Sequence, residues 1–256
     1  MDPKGKVVVV TGAGSGLGLA SCRAFAAAGA RVYGFERDVM RLDQIYRAGP
    51  SVKANVVDVS DETSISSAIS GVLDDLGAMH IVVNCAGILK GAKTLSKGEV
   101  FPLETWNEVI KVNLTGTFNA LRFSALAMIK NPPDAETGER GVFIAVSSGA
   151  AWQGQVGQVA YSASKAGVIG LTLPAARDLA EHGIRVVTIA PGLFDTAMAA
   201  DMSPKASEGI LDRMVLYPKR RGRPEEFARL ALHIVENEYL NATTIALDAG
   251  TRMMAR

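Results

Sequence analysis

Lys6-Val7-Val8-Val9-Val10-Thr11-Gly12-Ala13-Gly14-Ser15-Gly16-Leu17-Gly18 is the stretch on which the fold turns. An apolar run of strand length, Lys6 to Val10, meets a glycine cluster, and the alanine-rich segment Leu17 to Ala28 then reads as a helix stopped by Gly29. Strand, glycine turn and helix in that order bring backbone N–H groups and a helix N-terminus to one point, where a pyrophosphate can sit. Leu17 occupies the sixth position counted from Gly12, so the spacing is Gly12, Gly16, Gly18 and not G-x-G-x-x-G.

Outward from that unit the pattern repeats. Strands are predicted at Arg31 to Phe35, Val52 to Val57, His80 to Asn84, Gly141 to Ser147, Arg185 to Ala190 and Thr243 to Asp248. Helices are predicted at Glu62 to Leu76, Leu103 to Ile129, Tyr161 to Glu181 and Pro224 to Glu236. Strands apolar on both faces that alternate with helices imply a parallel sheet covered on each side, an α/β Rossmann-like doubly wound fold. Residues 1–256 are read as one domain, with a substrate loop at about 194–223. The segments Ile88 to Phe101, Asn131 to Arg140 and Phe194 to Arg223 fall outside the alternation.

The chain is 48% hydrophobic and 21% charged, with a net charge of +1. That balance supports a globular core and argues against an electrostatic nucleic-acid or membrane binder. Cys22 and Cys85, the two cysteines, form no disulfide framework and read as small buried apolar residues in a reducing compartment, taken as cytoplasmic. His80, His182 and His233 lack ligand spacing, so no metal is expected. No leader is read before the first strand, and no apolar run is long enough to span a bilayer.

Glu36 ends the second strand 18 residues past Gly18, near the acidic position that binds an adenosine ribose. A carboxylate there accepts from the ribose hydroxyls and repels a 2'-phosphate, which favours NAD over NADP, although Arg37 beside it can receive a phosphate. Asp58-Val59 and Asn84-Cys85-Ala86-Gly87 lie at further carboxyl edges of strands, where ligands of open α/β sheets bind.

Tyr161 and Lys165 stand four apart and share a helix face, so the ammonium is expected to lower the phenol pKa. Ser148 follows a strand and can face the same crevice. From the residues alone Ser147 and Ser162 compete with it.

The turn Thr11 to Gly18, Asn84-Cys85-Ala86-Gly87, Asn113, Ser148, Tyr161-x-x-x-Lys165 and Pro191-Gly192 together resemble the classical short-chain dehydrogenases/reductases over essentially the whole chain. The resemblance implies a catalytic tetrad. Tyr161 exchanges the alcohol proton, Lys165 also binds the nicotinamide ribose, Ser148 orients the carbonyl, and Asn113 holds a relay water. Cofactor contacts are then expected at Gly12, Ser15, Gly16, Leu17, Gly18, Glu36, Asp58, Val59, Cys85, Ala86, Gly87, Tyr161, Lys165, Phe194 and Thr196, and substrate contacts at Ser148, Gln158 and Tyr161, with Trp152 nearby. Cys85 in place of a second Asn, and Asp248-Ala249-Gly250 in place of Asp-Gly-Gly, depart from the common pattern.

Gly154 to Gln158, Thr172 to Leu179, Ile189 to Phe194, the insertion bearing Lys90, Lys93 and Lys97, and the Asn131-Pro132-Pro133-Asp134 loop resemble the type-2 3-hydroxyacyl-CoA dehydrogenase subgroup. That likeness implies a homotetramer acting on a 3-hydroxyacyl-CoA, with a hydroxysteroid or alicyclic alcohol as alternative substrate and a non-catalytic or RNA-associated scaffold as the contrasting reading. Lys90, Lys93, Lys97 or the run Lys219 to Arg223 could meet CoA phosphates or simply be solvated. Met198 to Leu216 reads as a lid over an apolar substrate or as an oligomer contact.

Overall fold

The computed structural model describes residues 1–196 and 211–254. β1 (Val7–Thr11) is buried along its whole length, and its alternate valines face two separate cores. Val7 and Val9 join Phe143, Ile65, Val82 and Met128 on one face, while Val8 and Val10 join Phe25, Ile81, Ile144 and Phe227 on the other. Since successive strand side chains point to opposite faces, a strand apolar at every position must be covered on both sides.

The remaining strands are β2 (Arg31–Glu36), β3 (Val52–Val56), β4 (Ile81–Asn84), the short pair β5 (Leu95–Ser96) and β6 (Glu99–Val100), β7 (Gly141–Val146), β8 (Ile184–Pro191) and β9 (Thr243–Leu247). Seven of them form one parallel sheet in the order β3-β2-β1-β4-β7-β8-β9. The order reverses between β1 and β4, so the carboxyl ends of these two strands open the crevice in which such sheets bind ligands. The doubly wound parallel sheet expected from the sequence is therefore observed.

Around it lie α1 (Gly16–Ala27), α2 (Leu42–Tyr46), α3 (Glu62–Leu76), α4 (Leu103–Ile110), α5 (Gly116–Met128), α6 (Ala150–Gln153), α7 (Val159–Leu179) and the helix Pro224–Glu236. Three differences from the expected elements matter. The helix expected over Leu103 to Ile129 is split by a π-helical turn at Lys111–Thr115, and such a widened turn is commonly found at functional sites. α7 starts at Val159, so Tyr161 lies in its first turn, and a 3-10 turn Ala180–His182 finishes it. The irregular stretch Ile88 to Phe101 contains an exposed antiparallel hairpin, β5 to β6, turned by Lys97 and Gly98 at positive φ.

The Asn131 to Arg140 loop sits at the amino edge of the sheet, the end away from the crevice. There Asn131 Nδ2 donates to the Met79 and Arg140 carbonyls. His80 lies at the same edge. Its Nδ1 accepts from Val7 N at 3.2 Å, and burial pushes its pKa down to about 4, so it is a neutral acceptor.

Candidate active site

A cavity of about 700 Å³ runs along the carboxyl edge of the sheet from Asp58 to Gln158. Gly12, Ser15, Gly16, Leu17, Gly18, Glu36, Asp58, Val59, Cys85, Ala86, Gly87, Phe194 and Thr196 line it, and so do Ser148, Gln158, Tyr161 and Lys165. The structure thus brings every expected cofactor and substrate residue to one hollow. Asn113, fully buried behind it, is the exception.

The cofactor end is built by the glycine turn. Ser15 is the N-cap of α1 and makes no side-chain capping bond, leaving the helix N-terminus open to the cavity. A Cβ on Gly18 would collide with the Gly12 carbonyl, so α1 can leave the strand this tightly only with glycine there. Glu36 Oε2 accepts from Gly14 N at 3.0 Å, and Oε1 accepts from the amides of Arg37 and Asp38 at 2.9 and 3.0 Å. These bonds hold the carboxylate across the turn at the cavity wall. Arg41 lies over the same turn, its Nη1 donating to Ser15 Oγ at 3.2 Å. The uncapped helix end, the open glycine turn and the fixed carboxylate fit the diphosphate and ribose of a dinucleotide.

A buried chain of hydrogen bonds joins this end to the chemistry. Thr11 Oγ1 donates to Asn84 Oδ1, Asn84 Nδ2 to Thr117 Oγ1, and Thr117 Oγ1 to the Asn113 carbonyl, at 2.8, 2.9 and 2.7 Å. Both the nitrogen and the oxygen of the Asn113 amide are engaged by the protein. Nδ2 donates to Ile88 O at 2.9 Å and to Ser164 Oγ at 3.1 Å, and Oδ1 accepts from Ile88 N at 2.8 Å. The π-turn presents Asn113 to the strand-end segment Gly87-Ile88, which is why a regular helix does not run through it. Thr117 and Ser164 were not singled out from the sequence, because small hydroxyl residues inside apolar elements carry no local signal.

Tyr161 is buried to 8% exposure and Lys165 to 5%, with Lys165 Nζ 5.8 Å from the Tyr161 ring centre. Nζ donates to Val146 O at 2.8 Å. Burial pushes the ammonium down to about 8, partly opposed by Cys85. Burial also raises the Tyr161 phenol, and a hydrogen bond with Ser148 works against that rise. The expected lowering of the phenol by Lys165 is therefore not produced by the protein alone: the lysine has turned to a backbone carbonyl, and desolvation outweighs it. Gly87 lies next to Lys165 and Asn113. A Cβ there would be 3.4 Å from Lys165 Nζ and 3.3 Å from Asn113 Oδ1.

Among the serines the structure decides. Ser147 and Ser148 both line the cavity, but Ser147 Oγ donates to Lys165 O at 2.8 Å and Ser162 Oγ is packed against Gly154, whereas Ser148 is hydrogen-bonded to Tyr161. Gln158 Oε1 accepts from Gln155 N at 3.0 Å, and both glutamines line the substrate end. Trp152 is 54% exposed and does not line the cavity. Burial pushes Cys85 up to about 12 and raises Cys22 as well, so both are unreactive thiols.

The basic segments are largely engaged elsewhere. Arg220 forms two bonds to the Glu226 carboxylate, which they hold at about 2, Lys219 Nζ donates to Asp212 O, and Lys90 pairs with Glu108 at 2.6 Å. Most of the Met198 to Leu216 stretch lies outside the described residues. Among the described residues no helix is long and apolar enough to cross a membrane, and no cluster of metal-ligating side chains occurs.

A parallel sheet with an open phosphate-binding turn at its switch point, and a buried Tyr-Lys pair beside a serine in the same hollow, define a nucleotide-dependent oxidoreductase. The short chain dehydrogenase family model matches residues 6–207, and the chain belongs to that family, whose members use NAD(H) or NADP(H). It is 44% identical over 98% of its length to 3-hydroxyacyl-CoA dehydrogenase type-2 of Bos taurus, covering 96% of that protein. The corresponding Homo sapiens protein is 43% identical with the same coverage. The crystal structure of 3-hydroxyacyl-CoA dehydrogenase type-2 from Mycobacterium avium superposes with a TM-score of 0.93 at 32% identity, covering 98% of both chains. The protein is an oxidoreductase acting on a CH–OH group.

Proposed function

We propose that this protein interconverts a 3-hydroxyacyl-CoA and its 3-oxoacyl-CoA with NAD as cofactor. The observation that carries the reading is the meeting of Tyr161, Lys165 and Ser148 with the open α1 N-terminus and Glu36 in one cavity. The acyl-CoA substrate is supported by the full-length likeness to relatives of that name. NAD is favoured over NADP because the Glu36 carboxylate, held by three backbone amides, would face a 2'-phosphate with like charge.

When bound, the nicotinamide supplies or accepts the hydride. In the reducing direction Ser148 and Tyr161 donate hydrogen bonds to the substrate carbonyl oxygen, and the Tyr161 hydroxyl proton passes to that oxygen as the alcohol forms. Lys165 then stabilises the phenolate by its charge. Its ammonium, already weakened by burial, is suited to sharing a proton near neutral pH. Asn113 acts as a positioning residue, because its amide fixes Ile88 and Ser164 and so the cavity wall at Gly87 and the first turns of α7. Gln158 lines the substrate end of the cavity.

Exposed Phe118 and Leu126 on α5 and Leu173 on α7 support assembly, which we read as a homotetramer, and the two free cysteines suit a cytoplasmic setting. The test is NADH oxidation with acetoacetyl-CoA beside a panel of steroids and cyclic ketones. Turnover is expected to be highest with the thioester. NADH binding without turnover of the thioester would overturn the substrate reading.

A further inference from the structure

The substrate end of the cavity has a wall that the catalytic residues do not supply. Met253 lines the cavity together with Ser148, Ala150, Gln155 and Gln158. It comes from the segment after β9, far from the other lining residues in sequence. Several bonds hold that segment in place. Met253 N donates to Gln153 Oε1 at 2.8 Å, Gln155 Nε2 donates to Met254 O at 3.2 Å, and Gln153 Nε2 reaches Thr251 O at 3.4 Å. From the other side Arg252 N donates to Met214 O at 2.8 Å, and Thr251 is buried. The Met253 methyl lies 3.7 Å from the position a Cβ on Gly149 would take, next to Ser148.

We propose that Met253 is a specificity-determining residue whose thioether packs against the carbon chain next to the reacting carbonyl and limits its bulk. Gln153 and Gln155 position it. They belong to the segment that leads from Ser148 to Tyr161, so the catalytic hydroxyls and the limiting wall move as one unit. A flexible thioether tolerates varied aliphatic shapes while still closing off volume. The inference rests on the carbonyl-reducing site and holds whether the carbonyl belongs to a thioester or to a simple ketone.

The test compares kcat/KM for 3-oxodecanoyl-CoA against acetoacetyl-CoA, and for 4-tert-butylcyclohexanone against cyclohexanone, in the wild-type protein and in Met253→Ala, Met253→Trp and Gln153→Ala. Met253→Ala should raise the bulky-to-small ratio about tenfold, the size expected for a few atoms in an apolar pocket. Met253→Trp should lower the ratio, and Gln153→Ala should shift it in the Met253→Ala direction by a smaller factor. NADH affinity should be unchanged in all three. An unchanged or falling ratio in Met253→Ala with NADH affinity intact overturns the proposal. Wild-type turnover confined to the cyclic ketones overturns the acyl-CoA reading alone, and the ketone pair then still decides the role of Met253.

Discussion

Replacing Asn113 by Ala distinguishes a scaffold from a water relay. The substitution removes Nδ2 from Ile88 O and Oδ1 from Ile88 N, leaving both backbone groups of one residue without protein partners. Ser164 Oγ still donates to Tyr161 O at 2.7 Å, so it contributes little to the loss. Each orphaned backbone group costs about 1–3 kcal/mol, and water entering the vacated space recovers part of it, which gives about 3 kcal/mol in total. For a protein of this size that corresponds to a fall in melting temperature of about 10 °C. Turnover should fall as well, because Ile88 follows Gly87, the residue against Lys165. Calorimetry and NADH-oxidation kinetics on the same preparation give both numbers. If Asn113→Ala melted within about 1 °C of wild type while turnover collapsed, the scaffold argument would be wrong and a direct role in proton movement would replace it.

Other substitutions separate the remaining roles. Tyr161→Phe should lower kcat by about 10²–10⁴-fold, the usual contribution of a positioned acid or base, with NADH affinity unchanged in a fluorescence titration; retained turnover would refute the proton role. Glu36→Ser should raise the NADP-to-NAD ratio of kcat/KM at least about tenfold by removing a like charge, and an unaltered ratio would show that the carboxylate does not select the cofactor. Burial holds Lys165 at about 8 against an ordinary 10.5, so the unfolded chain binds more protons between those values and wild-type stability rises with pH across them. Lys165→Met removes that penalty. It should be inactive yet more stable near neutral pH by about 2 kcal/mol, after the lost bond to Val146 O is counted. Urea titrations should show the advantage shrinking as pH climbs from 8 toward 10.5.

The apolar strands, the glycine turn and the acidic residue closing β2 were legible in the sequence because each depends on local chemistry. A strand buried on both faces must be apolar throughout, and a phosphate turn must lack side chains, whatever surrounds them. Tyr161 and Lys165 were legible as a helix-spaced pair, but their role came from the motifs around them and the family resemblance. Tertiary structure alone decided which of three serines bonds Tyr161, where Asn113 directs its amide, and that Lys165 Nζ bonds a backbone carbonyl while burial raises the phenol. It alone brought Met253 beside Ser148, about a hundred residues away in the chain. Those outcomes depend on packing, desolvation and contacts between distant segments, which no short stretch of sequence records.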